Sequence, residues 1–482
     1  MNLLIFSTIL IMKIVFINPP FDIIQKAYGS ARKGTKYGYW APFGIAVLAG
    51  IIKKLDCKFE YIDSTILDYT QQDVVNHVIQ SQPDMIGITA QLATREVVKH
   101  LIQMIREKSA APIFLGGTLA TTFAESVMLE NPGLDYVVIG EAEQTLQELI
   151  LKIRNKADIS TVKGICYRSG DKIIRTPSRP ILMNLDLLPQ PDFGVFDLKR
   201  YIPLPLQYKK KPIIAYLSSR GCSYGRCTFC FESGSAAQKY RRHSVKRVIA
   251  DIQMAVEEQG VKEVAFWDDI FLVDEPWVLE FCELLHQNKI EIAWQCYGYA
   301  GSMTKKMVDA SAKSGCWNVY IGFESATQTV LDQVKKGVTV EQLAQSIGWV
   351  RDAGMDVRGS FILSLPGETP QTAMESVKFA IKNDITYMLF HPYFPEYGTE
   401  LYSELAREGK IIDEYKGRTT AQYIPEGYKD AKEVEFIIRK AYKKFYFRPS
   451  YVLKHINKIR SWDDFKQYYE AMRFVAGIAF SG

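Results

Sequence analysis

Cysteine is too scarce in this chain for disulfides to hold it together. There are eight in 482 residues, and Cys57, Cys166, Cys282, Cys296 and Cys316 are widely scattered, which points to a reducing cytoplasm. Long apolar runs are also missing. The opening MNLLIFSTILIMK falls short of the ~20 apolar residues a bilayer span needs. It has no charged segment before it and no small-residue cleavage site after it, so it does not read as a secretory signal. Met12 directly precedes KIVFINPP, a good opening strand, so translation is expected to start at Met12, with an extension from Met1 as the alternative. A net charge of only +5 gives no reason to expect nucleic acid as a partner. Solenoid repeats and low-complexity tracts are absent too.

An apolar content of 47% supports real cores, and the length suggests roughly three domains at ~150 residues each. Over 13–155 the short apolar runs KIVFINPP, FEYIDS, MIGITA, PIFLGG and YVVIGE alternate with helix-length amphipathic segments. Strands that are apolar without alternation, separated by single helices, predict a doubly wound parallel sheet. Residues 156–205 read as a connector with a hairpin around Ser-Gly-Asp and several prolines. From 206 to 424 the alternation resumes through IIAYLSS, EVAFWDD, IAWQCYG, NVYIGFES, VRGSFILSLP and YMLFHPYF. That series predicts a partial or complete βα barrel with functional residues at the strand C-termini. Residues 425–482 read as helical and basic, with twelve Lys or Arg against six Asp or Glu from Lys429 to Arg473. A helical cap is the plain reading there. The sharper alternative is peripheral contact with anionic lipid by basic amphipathic helices.

The stretch RGCSYGRCTFC places Cys222, Cys227 and Cys230 within nine residues. Three thiolates so close can bind zinc, form a redox disulfide or hold an iron-sulfur cluster. Zinc needs a fourth ligand, and the nearest, His243, is thirteen residues on. A redox pair at Cys227 and Cys230 leaves Cys222 unexplained. A cluster on three thiolates leaves one iron open to bind a small molecule.

Other motifs follow in order. IIAYLSSRG precedes the cysteines, EVAFWDDIF ends the second strand of the series, NVYIGFES the fourth and FILSLPGET the fifth. The N-terminal part carries INPP, PFGIAVLAG and the GGT and GEAE turns. With these motifs the chain resembles the cobalamin-binding class of radical S-adenosylmethionine enzymes from Lys13 to about Pro449. The resemblance implies a Rossmann-like cobalamin-binding domain, a radical S-adenosylmethionine barrel and a [4Fe-4S] cluster on Cys222, Cys227 and Cys230. The family spacing is Cys-x3-Cys-x2-Cys with an aromatic before the last cysteine. Phe229 matches that aromatic, but the first gap, SYGR, is one residue longer.

By the same resemblance, Asp268 and Asp269 meet the amino end of S-adenosylmethionine, where a carboxylate is a charge-assisted partner for an ammonium. Glu324 and Ser325 resemble contacts to its nucleoside or methionine part, and Gly367 and Glu368 lie where backbone approaches adenine. Helix capping or turn geometry is the alternative role for the Asp pair, Gly367 and Glu368. Where relatives often carry an Arg at the end of the third strand, this chain has Tyr297 and Tyr299, so a carboxylate is held differently here. Cys296 beside them either reaches the site or is plain core.

Ligands of parallel sheets lie at the carboxyl ends of strands. The cobalamin candidates are therefore Asn18, Pro19, Pro20, Thr89, Gln91, Leu92, Gly116, Gly117, Gly140 and Glu141. Neither His77 nor His100 sits in an Asp-x-His-x-x-Gly motif, so no histidine is expected beneath the cobalt.

The implied chemistry is reductive cleavage of S-adenosylmethionine to a radical that takes hydrogen from an unactivated carbon, with methyl transfer through cobalamin. The expected function is a C-methyltransferase for a natural product, lipid or tetrapyrrole-like small molecule, served by an external electron donor such as flavodoxin or ferredoxin. The alternatives are an oxidative cyclase or rearrangement enzyme, and a non-catalytic cobalamin or iron-sulfur sensor.

Overall fold

The computed structural model describes residues 11–22, 37–233, 239–412 and 419–480. The segment bearing Met1 lies outside them. Met12 is buried, and its carbonyl accepts from the Lys58 amide at 2.9 Å. The chain forms two compact units, Met1–Ile23 with Pro42–Arg200, and Ile24–Ala41 with Tyr201–Gly482.

In the first unit, β1 (Lys13–Asn18), β2 (Lys58–Asp63), β3 (Met85–Thr89), β4 (Ile113–Gly116) and β5 (Tyr136–Val138) pair in parallel in the order β2-β1-β3-β4-β5. The central strands are buried along their lengths, as their unbroken apolar runs require with helices on both faces. The hairpin in the proline-rich stretch forms as β6 (Ile165–Ser169) and β7 (Lys172–Arg175). β6 adds antiparallel to β5, so this stretch extends the first sheet.

The second unit holds a 6-stranded sheet in which each strand pairs with the one before it in the series, so the strands lie in sequence order from one edge to the other. Its strands, all parallel, are β8 (Ile213–Tyr216), β11 (Glu263–Phe266), β12 (Ala293–Gly298), β13 (Cys316–Glu324), β14 (Asp356–Ile362) and β15 (Tyr387–His391). With β8 and β15 at opposite edges, the sheet is an open, partial barrel. A two-stranded ladder of β9 (Ser219–Arg220) and β10 (Arg241–Arg242) brackets the cysteine stretch. Behind β11 and β12, the rings of Phe266, Phe271, Phe281 and Trp294 pack mostly edge to face. Each such ring is worth about 1.5–3 kcal/mol in burial.

The C-terminal helices cap the β15 edge. Helix Ala431–Tyr446 buries Val434, Ile437, Ile438, Ala441, Tyr442, Phe445 and Tyr446. Its tyrosines also satisfy the edge strand's backbone. Met388 N donates to the Tyr446 hydroxyl at 2.8 Å, that hydroxyl donates to Met388 O at 2.6 Å, and Phe390 N donates to the Tyr442 hydroxyl at 3.3 Å. An exposed strand edge invites pairing with other chains, and here side chains close it. Phe436, Leu453, Trp462 and Phe480 remain on the outer surface. Among the described residues no helix is long and apolar enough to cross a membrane.

Candidate active site

β8 ends one turn before Cys222, so the cysteine stretch sits at the carboxyl end of the sheet. The extra residue in its first gap is taken up at Gly225, whose φ of 55° lies in the left-handed region that glycine enters without strain. Gly225 N points at the Cys222 sulfur at 3.3 Å. Tyr224 anchors the widened loop through its hydroxyl to Lys335 O at 2.8 Å and its ring against Tyr299. Phe229 packs on the cluster of Val330, Val334, Ile362 and Leu365.

The three cysteines are free thiols. Burial pushes the Cys227 thiol up to about 12 and the Cys230 thiol to about 11; the Lys336 ammonium opposes the rise at Cys227, and the backbone at Glu232, then Lys336, opposes it at Cys230. Among the described residues no three His, Cys, Asp or Glu side chains converge as a single metal ion requires. A cluster makes a different demand, because each iron takes its own thiolate and the sulfurs stand apart. Three soft donors on one short loop, with no disulfide between them, fit that group.

The two adjacent acids after β11 differ sharply. Asp268 is fully buried and accepts from the hydroxyls of Ser218 and Ser219, each at 2.5 Å, and from Ser218 N at 3.1 Å. It ties the end of β11 to the exit of β8. Asp269 faces solvent. Desolvation by the protein around its carboxyl, then Glu232 and Asp268, raises its pKa to about 7. Of the pair, Asp269 is the carboxylate left available to a ligand.

At the end of β13, Glu324 has a φ of 64° and accepts from Lys336 Nζ at 2.9 Å. Both are nearly buried. A Cβ on Gly322 would stand 2.3 Å from the Glu324 Oε1 and 3.3 Å from the lysine nitrogen, so the pair depends on that glycine. Lys336 lies over the rings of Phe229 and Tyr299 at 6.0 and 5.8 Å. Burial lowers its pKa, but Glu324 and the nearby thiols outweigh this and hold it above the ordinary lysine value. Glu368 is fully buried and accepts from Ser325 Oγ and Thr372 Oγ1, each at 2.5 Å. Burial raises its pKa and the two hydroxyls work against that. Glu368 and Ser325 thus lock β13 to the helix Pro370–Lys382, while Thr369 is that helix's N-cap. Gly367 turns the chain with a φ of 83°.

Tyr299 donates to Lys336 O at 2.8 Å, and the ring of Tyr297 lies 4.8 Å from that of Tyr320. Cys296 is buried beside Cys316 and Cys282, so it belongs to the core. Sequence reasoning missed Lys336, which stands in a charge-rich stretch that reads as a solvated turn. It also missed Arg358, which enters the barrel from β14 and donates to Gln295 Oε1 at 3.2 Å.

In the first unit the predicted residues gather at the carboxyl ends of β1, β3, β4 and β5. Asn18 donates to Asp63 Oδ1 at 2.9 Å, and Pro19 and Pro20 follow it. Thr89 ends β3, the Gln91 amide is capped by Thr94 Oγ1 at 2.9 Å, and Leu92 is exposed. A Cβ at Gly116 or Gly140 would meet nothing within 4 Å, so open space lies above both. Gly117 has φ 100° and ψ −173°, and a Cβ there would stand 2.5 Å from Ala90 O. Glu141 is the N-cap of the helix Ala142–Arg154. His77 bonds Glu60 at 2.6 Å and His100 is exposed on the helix Arg95–Arg106.

Residues 29–150 match the B12 binding domain family and residues 216–380 the radical SAM superfamily. An uncharacterized methyltransferase of Pyrococcus horikoshii is 28% identical over 452 residues, covering 92% of this chain and 95% of the relative. The anaerobic magnesium-protoporphyrin IX monomethyl ester cyclase of Rubrivivax gelatinosus is 26% identical over 451 residues, covering 92% and 78%. A solved structure of the cobalamin-dependent S-adenosylmethionine radical enzyme OxsB, with aqua-cobalamin and S-adenosylmethionine bound, superposes with a TM-score of 0.72 at 18% identity. It covers 97% of this chain and 72% of that one. At such identity the likeness speaks for the fold.

Proposed function

Since this chain belongs to the cobalamin-dependent radical S-adenosylmethionine enzymes, we propose that it is a C-methyltransferase acting on an unactivated carbon of a small natural product, lipid or tetrapyrrole-like molecule. The observation that carries this is the end-to-end match to the uncharacterized methyltransferase of Pyrococcus horikoshii, which spans 95% of that relative against 78% of the cyclase. When bound, the cluster with S-adenosylmethionine supplies the means to remove a hydrogen atom from carbon, and cobalamin supplies the methyl group.

The chain's own residues do the holding. Cys222, Cys227 and Cys230 would hold the cluster through their thiolates. Asp269 takes the ammonium of S-adenosylmethionine. Asp268, Ser325 and Glu368 fix the strand ends around it, and Glu324 with Lys336 holds the floor beside Phe229. Gly116, Gly117 and Gly140 would let a planar cofactor approach the first unit's backbone. Electrons arrive from a flavodoxin or ferredoxin.

The test is anaerobic turnover with candidate substrates and a reduced flavodoxin. Methyl transfer yields deoxyadenosine and S-adenosylhomocysteine in equal amounts with a methylated product. Deoxyadenosine without S-adenosylhomocysteine supports a cyclase, which the match to the Rubrivivax enzyme favours as the second reading. Cofactor binding without any turnover identifies a sensor.

A further inference from the structure

The second unit contains a cavity of about 510 Å³, within the range of roughly 300–1,000 Å³ typical of small-molecule sites. Tyr297, Tyr320 and Tyr387 line it from the sheet, and Tyr446, Tyr451 and Tyr468 from the C-terminal helices. Such walls favour apolar, ring-bearing surface. The helices that cap the β15 edge therefore also complete this chamber.

One cation stands among the rings. Arg358 donates a single hydrogen bond, to Gln295 Oε1 at 3.2 Å, and among the described residues no carboxylate pairs with it. Gln295 is itself locked, since its amide donates to Gln207 O at 2.7 Å and to the buried Glu263 at 3.2 Å. The guanidinium is thus oriented by a fixed neighbour while most of its donors stay uncommitted. Other cations nearby are already paired, Lys458 with Asp356 at 2.9 Å and Lys454 with Asp384 at 2.6 Å. His455 lines the same chamber, and both its ring nitrogens are buried without a hydrogen-bond partner. Buried polar atoms without partners call for an explanation, and a bound molecule with polar atoms supplies one. Burial, then Lys458, holds His455 down at about 4, so it is a neutral donor and acceptor and adds no second positive charge.

We infer that this chamber binds a predominantly apolar, ring-bearing small molecule with one carboxylate, which seats on Arg358 while His455 meets a second, uncharged polar atom. A guanidinium matches a carboxylate in a planar, two-point fit. Among the described residues that line the chamber, Arg358 is the one Lys or Arg, which favours a monoanion over a phosphate dianion. Only the naming of this occupant as the substrate rests on the methyl-transfer reading. The third strand carries Tyr297 and Tyr299 where relatives often have an arginine, and the guanidinium of this chamber comes from β14.

Equilibrium dialysis of the full-length reconstituted protein against 1-pyrenebutyrate and its near-isosteric amide, 1-pyrenebutyramide, tests this without turnover. Loss of methyl transfer and loss of this site therefore register separately. The carboxylate is expected to bind at least about tenfold more tightly than the amide. Arg358→Met should bring the ratio close to one while leaving amide binding within about twofold, which also reports that the variant is folded. Arg358→Lys should retain an intermediate ratio, because it keeps the charge without the planar fork. Ala471→Trp, at a small position on the chamber wall, should weaken both probes at least about tenfold. Equal binding of the two probes by the unaltered protein overturns the inference. So does a preference that survives Arg358→Met, equal loss of both probes in both Arg358 variants, or binding indifferent to Ala471→Trp.

Discussion

The carboxyl strand ends of the first unit present mainly backbone, at Gly116, Gly117 and Gly140, with open space above two of them. Those of the second unit present acids already engaged by the protein, Asp268 by Ser218 and Ser219, Glu324 by Lys336, and Glu368 by Ser325 and Thr372. Glycine admits a broad ligand by offering no side chain. Buried acids must be satisfied in place, so they fix geometry and leave only the unengaged neighbour, Asp269, to meet a charged ligand. A parallel sheet can thus receive a cofactor through empty space in one unit and through prearranged charge in the other.

That contrast can be broken in graded steps. The largest effect is expected at the cysteines, where Cys222→Ala, Cys227→Ala and Cys230→Ala should each abolish the four-iron cluster in anaerobically reconstituted protein. Iron and sulfide analysis reads this out, and full iron in any variant removes that residue from the ligand set. Cys222, behind the widened loop, is the most informative.

Lys336→Met leaves Glu324 nearly buried and unpaired, which should cost about 3–5 kcal/mol of stability in denaturant unfolding. A change under about 1 kcal/mol would mean that the pair is solvated like an ordinary surface bridge.

In the first unit, Gly117→Ala forces a side chain into a backbone conformation that is essentially glycine's own, at about 1–3 kcal/mol. Its Cβ would also clash with Ala90 O, 2.5 Å away. Cobalamin retention on gel filtration should fall while iron content stays at the wild-type level. Loss of both together would contradict the separate roles of the two units.

The smallest effect is a pH dependence. An acid raised to about 7 is mostly protonated below that pH and mostly ionised above it. If the ionised Asp269 receives the ammonium, affinity for S-adenosylmethionine should fall about tenfold from pH 8 to pH 6. Asp269→Asn should flatten that profile, and an unchanged slope in this variant would assign the titration to another group.

The sequence by itself determined the parts set by local pattern. Unbroken apolar runs between amphipathic segments require parallel strands covered on both faces, and KIVFIN, MIGIT and IIAY form such strands. The cysteine stretch was legible because its three thiols lie within nine residues of one another. The tertiary structure alone decided which charges are already engaged. Asp268 and Asp269 are neighbours in sequence and alike in chemistry, yet serines 50 and 49 residues away hold the first and leave the second open. Lys336 meets Glu324 only because Gly322 clears the approach. Arg358 meets Gln295 across 63 residues, and the chamber around it closes only when tyrosines from the last helices reach the β15 edge. Periodicity encodes which way a side chain faces along its own strand or helix. It carries no information on which distant partner will satisfy a buried charge, and that partner fixes the chemistry of the site.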